Sequence, residues 1–452
     1  MLSISLIRIR DNRCAQWEIN ALTKRSLGRI IGRQLVQFEA MQGQAVVPVR
    51  LMAMWAAAFQ ALNTDCAVNI VDTPAEALHL WDTDIAVFFM DACNATKTLA
   101  QAETCIKLNM RTIIASGAPE IYRKYTSHAD EIEWCSIDIH ETAKILDVAD
   151  TLDVSHLIPA FHATTVGDYC PYFVPVSLAN IESGAPRTID EILAEIRTLR
   201  ETGILTDDKR LIFDSPFDEA TSTHMLLELA SQFVTLEISW CAWLPAITDL
   251  RIIAQLRRSG LILACLGKTI NFNTLMHDST ARDISAKAVS QLKTRGIAVV
   301  AEFIVGDTNA QRDMENAQHI IKSGVDVPIV TIYTPVPEMR EFTELFESGR
   351  ILSTDWSRYN GDHIVYQTNC NVLDIERQCA EMQNELNSGF SILARLLTPS
   401  IRQIAMWKNS TISAAESTAL RVALATSARR NVQYPKKTQL KMLSDVVLVG
   451  KY

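Results

Sequence analysis

Apolar and polar side chains alternate from Ser3 to Ile9, a period of two that predicts a β-strand. An apolar helical run follows over Arg50–Ala61. Ala67–Val71, closing on Asp72, and Ile85–Met90 read as strands; Thr96–Leu108 has helical spacing, and Arg111–Ala115 is a strand that stops at Ser116 and Gly117. Strands and helices in alternation over residues 1–150 predict a parallel sheet flanked by helices. This is a doubly wound, Rossmann-like arrangement with binding loops at the strand carboxyl ends.

From Phe161 the rhythm becomes regular and passes through six strand-to-helix units. The predicted strands are Phe161–Thr165, Arg210–Phe213, Thr235–Trp240, Leu261–Leu266, Ile297–Val305 and Pro328–Tyr333. Thr188 and Glu191 have capping-box spacing. Ile189, Ile192, Leu193, Ile196 and Leu199 then share one helical face up to a stop at Gly203. Further helices are expected over Glu219–Gln232, Thr248–Arg258, Ile284–Thr294 and Ala310–Ser323. Repeated units of this size predict a (βα)6 partial TIM barrel over 155–354, with its site at the strand carboxyl ends. Residues 355–452 read as a mostly helical cap, with a helix around Val372–Ser388 and a second through Ile401.

Composition supports a folded chain with ample core: 48% of the 452 residues are hydrophobic and 21% are charged. The net charge of −9 makes nucleic acid or an anionic membrane face a poor electrostatic partner. The charge is unevenly spread, because nine Lys/Arg after Ile401 face Glu416 and Asp445 alone, leaving that tail basic. The first ten residues lack the apolar core and cleavage site of a secretory signal, and no uncharged apolar run approaches the ~20 residues that span a bilayer. The expected location is the cytoplasm. Ten scattered cysteines, none in a CxxC pair, fit reduced and mostly buried thiols.

Several strand ends carry distinctive residues. Gly167–Tyr172 reads GDYCPY, Leu211–Phe217 reads LIFDSPF, Phe303–Thr308 reads FIVGDT, and a run from Thr334 reads TPVPEMREFTELFESGRILSTDWSRYNGDHIV. In this order and spacing they resemble the radical S-adenosylmethionine (SAM) family, in the branch with an N-terminal cobalamin-binding domain, over roughly residues 40–400. The family's C-x3-C-x2-C loop supplies three thiolates to a [4Fe-4S] cluster, leaving the fourth iron open to SAM. Here the matching register keeps Cys170, puts Val174 at the second position and offers Ser177 at the third. One thiolate cannot hold that cluster, so no cluster and no radical cleavage of SAM are expected.

The resemblance implies a SAM-binding end formed by Cys170, Ser177, Gly267, Thr269, Gly306 and Asp307, with Asp307 alternatively capping the following helix. Thr269 stands where the family often has an acidic residue, and Glu338-Met339 stands where it has Gly-Thr. In the N-terminal domain, Ser116-Gly117 occupies the place of the family's Gly-Gly, and Asp91 with Asn94 would line a nucleotide-like loop. True cobalamin binding and a retained, empty shell are the two alternatives there.

The nine histidines form no metal-spaced cluster, and no metal site is expected. Asp214, at the end of the second strand, is placed to point into the site as a catalytic group. His162 leads toward Cys170 and is the second catalytic candidate, with a structural role as the alternative. Cys241 and Cys265 fall near strand ends, where small core residues are the competing reading. His363, beside Asp362, falls in a capping segment. Neither a GxSxG elbow nor a Walker loop occurs. Two classes follow. The first is a transferase that keeps the SAM or cobalamin cavity and works without radicals, for instance by methyl transfer to a small-molecule substrate of a biosynthetic pathway. The second is a non-catalytic homologue that binds a small molecule or supports a partner enzyme.

Overall fold

The computed structural model describes residues 2–10, 49–74, 83–92, 94–124, 126, 129–154, 157–160, 173–179, 185–207, 210–213, 217, 222–267, 279–305, 310–359, 361–368 and 371–386. They form an α/β protein in which two parallel sheets alternate with helices, followed by a helical C-terminal region. Among the described residues, no helix is long and apolar enough to cross a membrane.

The first sheet takes in Leu2–Arg10 (β1), Cys66–Pro74 (β2), Ile85–Met90 (β3), Arg111–Ser116 (β4) and Glu133–Ser136 (β5). Its strand order is β2-β1-β3-β4-β5, with every neighbour parallel. The chain leaves β1 toward β2 and then jumps back past β1 to β3. Such a reversal opens a crevice at the carboxyl ends of an α/β sheet. Its helices are Val49–Leu62 (α1), Ala95–Lys107 (α2), Pro119–Lys124 (α3) and Glu141–Leu146 (α4). All six residues of β3 are buried, as expected for a strand covered on both faces.

The second sheet is sequential: Phe173–Val176 (β6), Arg210–Phe213 (β7), Trp240–Trp243 (β8), Leu261–Leu266 (β9), Ala298–Val305 (β10) and Val327–Ile332 (β11) lie side by side in chain order, all parallel. Between them run Ile189–Glu201 (α5), Ser222–Leu236 (α6), Leu250–Arg258 (α7), Ser279–Thr294 (α8) and Ala310–Lys322 (α9); Arg340–Glu347 (α10) and Val372–Leu386 (α11) follow β11. Alternate residues such as Phe213, Trp240, Leu266 and Phe303 enter the hydrophobic core. Residues of the other parity, Arg210, Cys241, Cys265, Glu302 and Thr331, lie buried on the opposite face. The capping box forms as expected: Thr188 Oγ1 accepts from the Glu191 N–H, and Glu191 Oε2 accepts from the Thr188 N–H at 2.7 Å.

One expectation needs correction. The alternation in Thr235–Trp240 suggested a strand, yet helix α6 continues to Leu236, the chain turns at Glu237 with φ 51°, and β8 begins only at Trp240. The Leu236 carbonyl accepts from Arg200 Nη1 at 2.6 Å, and the Ile238 N–H closes back onto Phe233 O, so the helix end is held by tertiary and turn hydrogen bonds. The first strand of the second sheet was expected at Phe161–Thr165, which lies outside the described residues. The first described strand is β6, which pairs with β7 in the register Val174↔Leu211.

The two sheets meet along α1. Every residue from Arg50 to Phe59 is buried, the signature of a helix enclosed on all sides. Trp55 packs edge-on against Phe89 of β3 and donates its indole N–H to Ile137 O. On the other side, the Arg50 guanidinium binds the Glu195 carboxylate of α5 through both terminal nitrogens, and Arg187 binds the same carboxylate at 2.7 Å.

Candidate functional site

At the carboxyl end of β3, Asp91 and Asn94 hold each other. Asn94 Oδ1 accepts from the Asp91 N–H at 3.0 Å, Asp91 Oδ1 accepts from the Asn94 N–H at 3.1 Å, and Asn94 Nδ2 donates to Phe89 O. Both residues are buried, and this reciprocal pair fixes the turn into α2. At the end of β4, the buried Ser116 accepts from the Ala118 N–H through its hydroxyl. The space beside Gly117 is already taken: a methyl group there would lie 2.7 Å from Cγ of Glu338.

At the carboxyl ends of the second sheet, Gly267 has φ +122°, and a side chain on it would meet the Glu302 carbonyl oxygen at 2.3 Å. Only glycine permits that approach of β9 to β10. Ser177 follows β6; its hydroxyl accepts from the Ala179 N–H, and its carbonyl accepts from Arg187 Nη1. Val174, the second position of the expected ligand loop, is fully buried within β6. The connection from β6 to α5, residues 177–188, contains no cysteine. His162, Cys170, Asp214, Thr269, Gly306 and Asp307 lie outside the described residues.

Cys241 and Cys265 are fully buried on one face of neighbouring strands. Burial drives the Cys241 thiol well above its ordinary value, the nearby Cys265 adds to this, and Arg210 opposes it. Among the described residues, no three of His, Cys, Asp and Glu stand together to hold a metal ion.

The structure brings forward one group that sequence reasoning noted only as a departure at a family position. Glu338 lies six residues beyond β11, in the segment Thr334-Pro335-Val336-Pro337-Glu338. It reaches the first sheet, where the Tyr122 hydroxyl of α3 donates to Glu338 Oε1 at 2.9 Å. Its Oε2 is buried and makes no hydrogen bond. Burial pushes this carboxyl up to about 7, the Asp91 charge pushes the same way, and the Tyr122 hydroxyl and a backbone N–H pull it back. Tyr122 itself is wholly buried and packs edge-on against Trp356 at 5.0 Å. His363 sits 3.6 Å from Glu376 of α11, while its carbonyl accepts from the Thr334 hydroxyl.

No family model matches the chain, and no curated protein matches it. The class that fold and site define is an α/β protein built of two parallel sheets alternating with helices, in which the turn after β4 and the segment after β11 touch at Gly117 and Glu338.

Proposed function

We propose that the chain is a clusterless relative of the cobalamin-domain radical SAM proteins, acting as a non-catalytic homologue that supports a partner enzyme of the same pathway. On this reading the first sheet derives from the cobalamin-binding domain over 1–150. The second is a (βα)6 partial barrel over 155–354 under a C-terminal cap.

The observation that carries the proposal is the occupancy of the expected ligand loop. In the register that opens at Cys170, the second position is Val174, fully buried within β6, and the third is Ser177, so two of the three thiolates are missing. Hydroxyl and amide groups do not replace three thiolates around iron. The described members of the expected cofactor set support the same reading. Asp91, Ser116 and Ser177 spend side-chain acceptors on local turns, and Gly117 and Gly267 give clearance to neighbouring protein atoms.

Anaerobic incubation with ferrous iron, sulfide and a thiol, followed by Mössbauer spectroscopy and metal analysis, tests it. The expected outcome is no stoichiometric cluster and, with SAM and dithionite, no 5′-deoxyadenosine. One [4Fe-4S] centre per chain overturns the proposal.

A second reading, polar methyl transfer to a small molecule, draws on a different observation. Arg210, Glu302 and Thr331 are buried on the sheet face opposite the helix-packed core, where hydrophobic packing alone would not call for them. Saturable binding of SAM, weakened by Asp214→Ala, distinguishes this reading from the first.

A further inference from the structure

We infer that the carboxyl-end crevice of the first sheet is closed from within the chain. The Glu338 side chain lies over Gly117 where a bulky ligand of that crevice would have to lie. The cobalamin-type sheet thereby serves as a docking face for the second sheet, not as a cofactor cradle.

Beside Gly117, after β4, there is no clearance. An ideal Cβ on Gly117 would fall 2.7 Å from Glu338 Cγ and 3.5 Å from its Cβ, with Ile137 Cδ1 at 3.9 Å. A turn with no room for one methyl group has none for a corrin or its nucleotide tail while Glu338 stays in place. Glu338 is also anchored. Tyr122 holds its carboxyl by the phenol hydroxyl, and the Tyr122 ring is covered in turn by Trp356, which contacts Tyr359 at 5.0 Å and Phe342 at 6.4 Å. Lys124, two residues beyond Tyr122, places its ammonium 5.4 Å from the ring centre of Phe346. Displacing Glu338 would therefore disturb an aromatic cluster that joins α3 to α10 and the segment after it.

Two further described members of the expected set are occupied locally: Asp91, after β3, and Ser116, at the end of β4, each accept a hydrogen bond from a backbone N–H of their own turn. Closure of this crevice concerns only the first sheet and does not rest on the fate of the iron site. Assembly of a cluster would sink the functional proposal and leave the closure standing, whereas binding of cobalamin would do the reverse.

Three measurements on the full chain test it. Titration with hydroxocobalamin, followed by corrin absorbance, gives no saturable binding; stoichiometric binding to the unaltered protein overturns the inference. Carbodiimide labelling with a small amine, read by mass spectrometry, modifies Glu338 several-fold more slowly than the exposed Glu347 on the same stretch; equal rates overturn it. In a double-mutant cycle, Gly117→Ala lowers Tm by a few degrees, and adding Glu338→Gly to it recovers part of that loss because the clashing stem is gone. Strictly additive effects contradict the contact. If Gly117→Ala does not fold, the titration and the labelling still decide.

Discussion

Glu338 and Gly117 form a pair that neither residue's identity announces. The carboxyl is raised from its ordinary 4.5 to about 7, chiefly by burial. Between those values the folded chain keeps a proton that the unfolded chain has released. The contribution of this group is therefore fully present below pH 4.5 and is lost as pH climbs through about 7. Because Glu338 as a whole residue is only partly buried, the effect is on the order of 2 kcal/mol, below what the full shift would give. Tyr122 and Asp91 are the groups that face the carboxyl from the first sheet, and only Asp91 adds like charge. Urea unfolding at about pH 5 and about pH 8 checks the sign, and Glu338→Gln flattens the difference between the two. The same difference in the variant as in the unaltered protein would rule out this origin.

Among single elements, local chemistry decided most starts and stops. The box of Thr188 and Glu191 opens α5 where the spacing indicated, and the strands at Ile85–Met90 and Leu261–Leu266 lie at the residues their apolar runs marked. The third strand of the second sheet was placed five residues too early, because Leu236, Ile238 and Trp240 alternate with polar neighbours as a strand would. Leu236 belongs instead to the last turn of α6, and Glu237 takes the left-handed conformation that ends it. A non-glycine residue there carries a steric penalty of about 1–2 kcal/mol. Glu237→Gly should accordingly stabilise the chain by about 0.5–1 kcal/mol after the extra unfolded-state entropy of glycine is subtracted. Thermal melts of the two proteins measure it, and a destabilised variant would show that the turn is not strained.

Across both sheets, α1 is the hinge pin of the arrangement: a helix of the first sheet that the second half also covers. Its one buried charge, Arg50, is matched by Glu195, and Arg187 completes the set. Removing the central carboxylate strands two cations away from water. Glu195→Ala should cost about 3–5 kcal/mol in chemical unfolding. Truncating the exposed Glu133, which binds Arg111 through both its oxygens, should cost under about 1 kcal/mol. Similar losses from both would mean that the Arg50 junction does not join the halves.

Residue order was enough to reveal the alternation of strand and helix, the parallel sheets it implies, and that Val174 and Ser177, not cysteines, follow Cys170 at the expected ligand spacing. These are set by short-range patterning and by residue identity, which need no partner to be read. Where α6 stops, that Asp91 and Ser116 serve their own turns, and that a glutamate after β11 fills the space beside a glycine after β4 became visible only in the folded chain. The last of these depends on contacts between residues far apart in the chain, 216 positions in the case of Tyr122 and Glu338, and no local pattern encodes which distant side chain will arrive.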